Sequence, residues 1–268
     1  MQTRRASHLI KHATHSHYYM AVREGVVNRR PHIMGIINAT PDSFYTESRN
    51  GSISKAKEMF SNGAEWVDIG GESTRPGATI ISIEEELNRV IPLVKEVTKY
   101  GKVSIDTRHV EVARAALKAG ALMINDVSGL RDPAMLELVI ESGCSVCIMH
   151  MLGEPGNMQE NPQYENVVSE VTETLLSKAE ELVQRGHPIE LIYLDPGIGF
   201  GKLLEHNIAL LQSSNQLRPY SILWGVSRKS IIGQICGRKD ASERLSGTLA
   251  IASFAYNNSI DIIRVHDV

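Results

Sequence analysis

The chain has 268 residues, 42% of them hydrophobic, and a formal net charge of −3 at pH 7; that is enough for one sizeable core and suits the length of an α/β barrel. The charge leaves no basic footprint for nucleic acid, and no apolar run approaches the roughly 20 residues needed to cross a membrane. The opening stretch MQTRRASHLIKHATHSHYYM lacks the apolar core and cleavage site of a secretion signal, and three cysteines, Cys144, Cys147 and Cys236, cannot all pair, which points to a reducing, cytoplasmic setting.

Residues 1–31 show neither helical nor strand rhythm and read as a partly flexible N-terminal extension, with His8, His12, His15 and His17 solvated rather than bound to metal. From residue 32 onward, short apolar, β-branched runs recur. They are HIMGIIN (32–38), WVDIGG (66–71), VSIDT (103–107), MINDVSG (123–129), SVCIMHM (145–151), IYLDPG (192–197), SILWGVS (221–227) and IDIIRVHDV (260–268). Helical patterns separate them. In IEEELNRVIPLVKEVTKY, Ile83, Leu87, Val90, Ile91 and Val94 share one stripe, HVEVARAALKAG closes on Gly120, and YENVVSEVTETLLSKAEELVQRG closes on Gly186. Eight strands alternating with seven helices predict a parallel sheet with crossovers. In about 235 residues this is a closed (β/α)8 barrel, a TIM barrel of one domain over 32–268, with an open doubly wound sheet as the alternative. The C-x-x-C of Cys144 and Cys147 lies in an apolar run with no second pair downstream, and reads as two strand-associated cysteines.

The strand ends carry the chemistry. Each finishes in polar residues: Asn38, Glu72, Asp106 with Thr107, Asn125 with Asp126, His150, Asp195, Ser227 with Arg228 and Lys229, and Arg264, His266 and Asp267. In a barrel these ends share one face, where active sites are built. Arg264 and His266 alternate along the last strand and so point to one side, as two donors for an anion. Ser227 to Ser230 of GVSRKS are expected to open a helix whose free N–H groups favour negative charge, although the same residues also make an ordinary cap. After the first two strands, NATPDSFYTESRNGS and GGESTRPGAT combine Pro and Gly with charged and hydroxyl residues, as mobile lids do.

The ordered series NATPDSF, GGESTRPGA, SIDT, INDVSG, MHM, LDPGIGFGK, GVSRKS, RLSGTLA and RVHDV resembles the dihydropteroate synthases over residues 32–268. The methyltetrahydrofolate methyltransferases share the barrel and part of the pterin pocket but lack the TPDSF, STRPG and SRKS series. A third possibility is a catalytically dead pterin binder. The resemblance implies a folate-pathway transferase, and a sulfonamide target, that condenses 6-hydroxymethyl-7,8-dihydropterin diphosphate with 4-aminobenzoate in the presence of Mg²⁺. By the same resemblance Asp106, Asn125, Asp195 and Lys229 bind the pterin between the apolar walls Met149 and Phe200. Arg264 and His266 take the diphosphate and Asn38 the metal, while Asp42, Phe44, Thr74, Arg75 and Pro76 hold the aminobenzoate. Ser227 and Ser230 complete substrate binding after strand seven. Asp42, Thr74, Arg75, Asp106, Lys229, Arg264 and His266 form the catalytic set, in a homodimer. Two departures from the family pattern stand out: YTESRNG replaces the usual Ser-Asp-Gly-Gly after TPDSF, and the eighth helix that ordinarily follows RVHDV is not in this sequence.

Overall fold

The computed structural model describes residues 30–39, 46–73, 80–154 and 156–268; the N-terminal histidines and both lid centres lie outside them. Eight parallel strands form the centre: β1 (His32–Asn38), β2 (Trp66–Gly70), β3 (Lys102–Asp106), β4 (Met123–Asp126), β5 (Ser145–Met149), β6 (Ile192–Asp195), β7 (Ser221–Trp224) and β8 (Ile262–Val265). Each pairs with its neighbours in sequence and β8 pairs with β1, so the sheet closes. This is the expected (β/α)8 barrel. The helices are α1 (Thr46–Ser61), α2 (Ile83–Val97), α3 (Val110–Lys118), α4 (Pro133–Ser142), α5 (Val167–Gln184), α6 (Leu204–Ser213), α7 (Ser230–Cys236) and α8 (Leu245–Asn257), the last two both lying between β7 and β8.

Period-two alternation divides each strand between two environments. Outward side chains such as Val67, Ile69, Val103, Ile105, Ile124, Val146, Ile148 and Trp224 pack under the helices in one continuous core. Inward side chains at the strands' beginnings form a second apolar cluster of Met34, Trp66, Met123, Cys147, Leu223 and Ile262, with Tyr193 against it. Filling the barrel with side chains makes it a packed core rather than a pore. One two-residue period further along the same strands, Trp66 gives way to Asp68, Met123 to Asn125, Tyr193 to Asp195 and Ile262 to Arg264. The barrel interior is therefore apolar at the bottom and charged at the top.

The helices start and stop where local chemistry dictates. The Ser82 hydroxyl accepts from the Glu85 N–H at 3.1 Å, and the Asn166 side chain from the Ser169 N–H at 3.1 Å. Pro133 begins α4 after the Asp132 cap, and Gly143 ends it with φ 63°. One expectation is corrected. The loop foreseen through Ser52 is helical from Thr46, because Ile53, Ala56, Met59 and Phe60 form an apolar stripe against the core and the helix they anchor propagates back through TESRNGS.

Trp224 is fully buried, its indole N–H donates to the Ser214 hydroxyl at 3.0 Å, and its ring stacks on Phe254 with centroids 6.0 Å apart. Trp224→Ala should cost about 3–5 kcal/mol, read as a lower urea midpoint; a loss below 1 kcal/mol would mean the layer between β7 and α8 collapses to fill the space.

Candidate functional site

The charged layer is organised around Arg264. Its Nε donates to Asp68 Oδ2 at 2.6 Å and its Nη2 to Asp106 Oδ2 at 2.7 Å. The Asn125 amide donates to the same Asp68 oxygen at 3.0 Å. Four strands, β2, β3, β4 and β8, thus converge on one hydrogen-bonded group inside the barrel. Burial alone would depress the guanidinium's pKa, but the carboxylates of Asp68 and Asp106 more than offset it and raise it. Burial pushes the Asp106 carboxyl up to about 7; Arg264 opposes that rise and the Asp68 charge adds to it. A Cβ on Gly70 would lie 3.4 Å from Asp106 Oδ2, so the absent side chain leaves the carboxylate room at the strand end.

Opposite this cluster stand Asp195 and Lys229. Asp195 Oδ1 accepts from the Gly197 N–H at 2.8 Å. From the place a Cβ would occupy on Gly225, Asp195 Oδ2 is 3.5 Å away and Lys229 Nζ 3.7 Å, so both polar groups converge beside this glycine. Burial raises the Asp195 carboxyl, against the pull of Lys229. Burial also lowers the Lys229 ammonium to about 8, with Asp195 opposing. Lys229 donates to the Ile198 carbonyl at 2.6 Å and lies 4.3 Å above the Phe200 ring. Phe200 packs against a buried cluster of Val127, Met149, Met151 and Met158. The result is a polar barrel mouth with one apolar wall.

The sequence reading brings some residues together here and not others. Asp106, Asn125, Asp195, Lys229 and Arg264 line the mouth, with Met149 and Phe200 in its wall. Asn38 ends β1 exposed and in register with Gly70. Ser230 opens a helix as expected, whereas Ser227 lies before it. The chain turns through Arg228 at φ 56°, and α7 begins only at Ser230. The Ser227 hydroxyl instead accepts from the His266 N–H at 3.2 Å and lies 3.1 Å from His266 Nδ1, fixing that imidazole just beyond β8. Asp42, Phe44, Thr74, Arg75 and Pro76 fall outside the described residues.

Several polar strand ends serve structure instead. Asp267 makes a double ion pair with Arg228 at 2.7 and 2.8 Å. Asp126 accepts from the Ser128 and Leu130 N–H groups at 2.7 and 2.8 Å and shapes the turn after β4. Glu72 pairs with Arg108 at 2.8 Å. His150 receives Lys202, with 3.0 Å between Nδ1 and Nζ. Cys144 and Cys147 are free thiols, Cys144 packed against the outer core and Cys147 inside the barrel. The residue missed by sequence reasoning is Asp68. Its signal was available: a carboxylate amid VDIG, two residues after the inward Trp66, has to face the barrel interior and find a cation there.

Asp68 is fully buried, and its Oδ1 has no hydrogen-bond partner among the described residues. Removing it leaves the guanidinium Nε without its carboxylate while Nη2 keeps Asp106, and breaking a buried pair costs about 3–5 kcal/mol; Asp68→Ala should show that loss by denaturant unfolding, while a loss under 1 kcal/mol would contradict the pairing. Asp106 supplies a pH test. Its ordinary value is 3.8 and its native value about 7, so the native chain holds a proton that the unfolded chain has released. That stabilisation is complete below pH 3.8 and is lost as pH rises to about 7. Asp106→Asn should flatten the stability–pH curve across this window, and an unchanged slope would contradict the assignment.

Comparison with known proteins places the chain in a family. The model of the pterin binding enzyme family matches residues 34–266. The dihydropteroate synthase of Escherichia coli (strain K12) is 46% identical over 246 residues, covering 89% of this chain and 87% of that protein. Among solved structures, Yersinia pestis dihydropteroate synthase with a sulfonamide drug complex superposes with a TM-score of 0.84 at 39% identity, covering 91% of each chain. The Burkholderia cenocepacia enzyme complexed with 7,8-dihydropteroate gives 0.82 at 44% identity, covering 90% of this chain and 87% of that one. The closed eight-stranded barrel and these similarities lead to one conclusion: the chain belongs to the pterin-binding enzymes and, within them, to the dihydropteroate synthases, transferases of folate biosynthesis.

Proposed function

We propose that the barrel mouth is where 6-hydroxymethyl-7,8-dihydropterin diphosphate and 4-aminobenzoate are joined into 7,8-dihydropteroate and pyrophosphate. The observation that carries this is the single layer of Asp106, Asn125, Asp195 and Lys229 above an apolar floor. A pterin edge presents ring N–H and amino donors beside a carbonyl. Two carboxylates accept from the former, and an amide and an ammonium donate to the latter. Met149 and Phe200 offer the ring an apolar wall. Buried donors and acceptors reject a ring that lacks the matching groups, because each one left unpaired is costly.

In the reaction the bond from the methylene carbon to the diphosphate oxygen breaks, a bond to the aniline nitrogen forms, and that nitrogen releases one proton to the departing pyrophosphate or to solvent. Negative charge grows on the departing oxygens, and positive charge on the pterin. Arg264, with Nε and Nη2 held by carboxylates, and His266, seated on Ser227, are the two groups assigned to the diphosphate. The carboxylates of Asp106 and Asp195 favour the developing pterin cation. Asp42, Phe44, Thr74, Arg75 and Pro76, with Ser230 at the start of α7, are assigned to the aminobenzoate by family resemblance. Excluding water from this subsite would keep it from intercepting the cation.

Asn38 suits Mg²⁺, which prefers oxygen ligands and keeps several waters: its amide is exposed at the end of β1 on the same face. When bound, the ion would neutralise charge on the diphosphate. Exposed apolar side chains on α7 and α8, namely Ile235, Leu249, Phe254 and Tyr256, support a second copy as partner in a homodimer. Among the described residues no helix is long and apolar enough to cross a membrane, and unpaired cysteines accord with a cytoplasmic setting.

The purified chain should form dihydropteroate only when the pterin diphosphate, aminobenzoate and Mg²⁺ are all supplied, and a sulfonamide should raise the apparent KM for aminobenzoate. Failure to bind the pterin diphosphate would overturn the proposal. Asn38→Ala should weaken Mg²⁺-dependent binding of that substrate by roughly tenfold, the loss of one good polar contact; equal affinity by calorimetry would remove Asn38 from the metal site.

A further inference from the structure

Two lysines reach the loop between β6 and α6, and only Lys229 has a part in the chemistry above. Lys202 is 4% exposed. Its ammonium donates to the Phe200 carbonyl at 2.9 Å and to the His150 carbonyl at 3.3 Å, and lies 3.0 Å from His150 Nδ1. Three N–H donors meet three acceptors, so none is left over for a ligand. Holding a charge here is costly: burial lowers the ammonium to about 7, with Asp195 opposing and Lys229 adding to the fall. An apolar side chain of the same length would fill the space without that cost. What the ammonium contributes is the set of groups it joins.

Those groups belong to two different loops. His150 follows Met149 at the end of β5, and Phe200 lies in the loop after β6. Burial and the nearby Lys202 charge hold the His150 imidazole down to about 3, so it is neutral and its Nδ1 accepts from the lysine. The loops also touch through their backbones. A Cβ on Gly197, at φ 67°, would come within 1.8 Å of the His150 carbonyl oxygen, so this approach requires glycine. The Tyr164 hydroxyl donates to the Gly201 carbonyl at 2.9 Å, with its ring 6.2 Å from that of His150. The carbonyl of Ile198 and the ring of Phe200 then receive Lys229.

We infer that Lys202 and His150 are a pair of positioning residues: their hydrogen bond locks the β5 and β6 loops together and thereby sets the Phe200 wall and the Lys229 ammonium for the pterin ring. Neither side chain touches the substrate. The inference rests on the proposed pterin site, and it predicts an effect confined to one substrate.

The test compares Lys202→Met, which keeps the stem and removes the donor, with His150→Leu and His150→Asn. Asparagine places its Oδ1 near the position of Nδ1 and can still accept from Lys202. Steady-state kinetics would be run on the full chain with both substrates and Mg²⁺, alongside thermal melts. Lys202→Met and His150→Leu should each raise KM for the pterin diphosphate tenfold or more, with kcat and the aminobenzoate KM within threefold of wild type. His150→Asn should restore the pterin KM to within threefold, and the Lys202→Met/His150→Leu double variant should be no worse than either single one. A wild-type pterin KM in Lys202→Met, additive effects in the double variant, or His150→Asn as impaired as His150→Leu would each overturn the inference. If Lys202→Met does not fold, the contrast between the two His150 variants decides. A wild-type chain that binds no pterin diphosphate sinks the site proposal as well, whereas binding that all variants retain sinks this inference alone.

Discussion

A guanidinium held between two carboxylates inside a closed barrel is the constraint on which the rest of this structure depends. Arg264 comes from the last strand, Asp68 and Asp106 from the second and third. Burying one of these charges alone would be prohibitive, and burying all three is tolerable only because their geometry satisfies them mutually. Replacing such a cluster with apolar side chains often costs nothing in stability. Stability is therefore a poor explanation for its presence, and preorganisation is a better one. The barrel carries a fixed array of charge before any ligand arrives, so little reorganisation is needed when charge develops in a reaction.

The array works because of what lies beneath and beside it. Below it, Trp66, Met123, Tyr193 and Ile262 fill the barrel one strand period earlier, which keeps water out and strengthens each interaction above. Beside it, the β6 loop brings Phe200 and the backbone of Ile198 under Lys229. Around the barrel mouth, further side chains maintain the loops: Asp126 turns the chain after β4, Ser227 seats His266, and Asp267 grips Arg228. A mouth of this kind needs many such supports, because a misplacement of about 1 Å can cost a hundredfold in rate.

Much of this was legible in the sequence. The eight apolar runs and their spacing foretold the barrel, and the polar strand ends foretold which face would carry function. Sorting those ends into chemistry and support was harder, since Asp126 and Asp195 look alike in a strand yet one caps a turn and the other enters the mouth. Asp68 escaped notice because it lies mid-strand rather than at an end; only the inward phase set by Trp66 reveals it. Glu86 and Arg89 were masked by the amphipathic stripe of α2. Both are buried, Glu86 against His109 and Arg89 on the Gly71 carbonyl with Glu85 one turn earlier; the partners His109 and Gly71 arrive from other elements and leave no trace in a local pattern. The helix start at Ser230 was legible, but the left-handed turn at Arg228 just before it and the ion pair of Arg228 with Asp267, 39 residues away, were not.

The central claim is that the array of Asp106, Asn125, Asp195 and Lys229, pinned by Arg264 and Asp68, is the pterin-binding surface. A crystal structure with the pterin diphosphate bound tests it most directly. The account predicts the pterin edge on those four side chains, the ring against Phe200, the diphosphate toward Arg264 and His266, and the Arg264–Asp68 bond intact. A pterin bound elsewhere in the barrel, or an Arg264 that must leave Asp68 to admit it, would contradict the account.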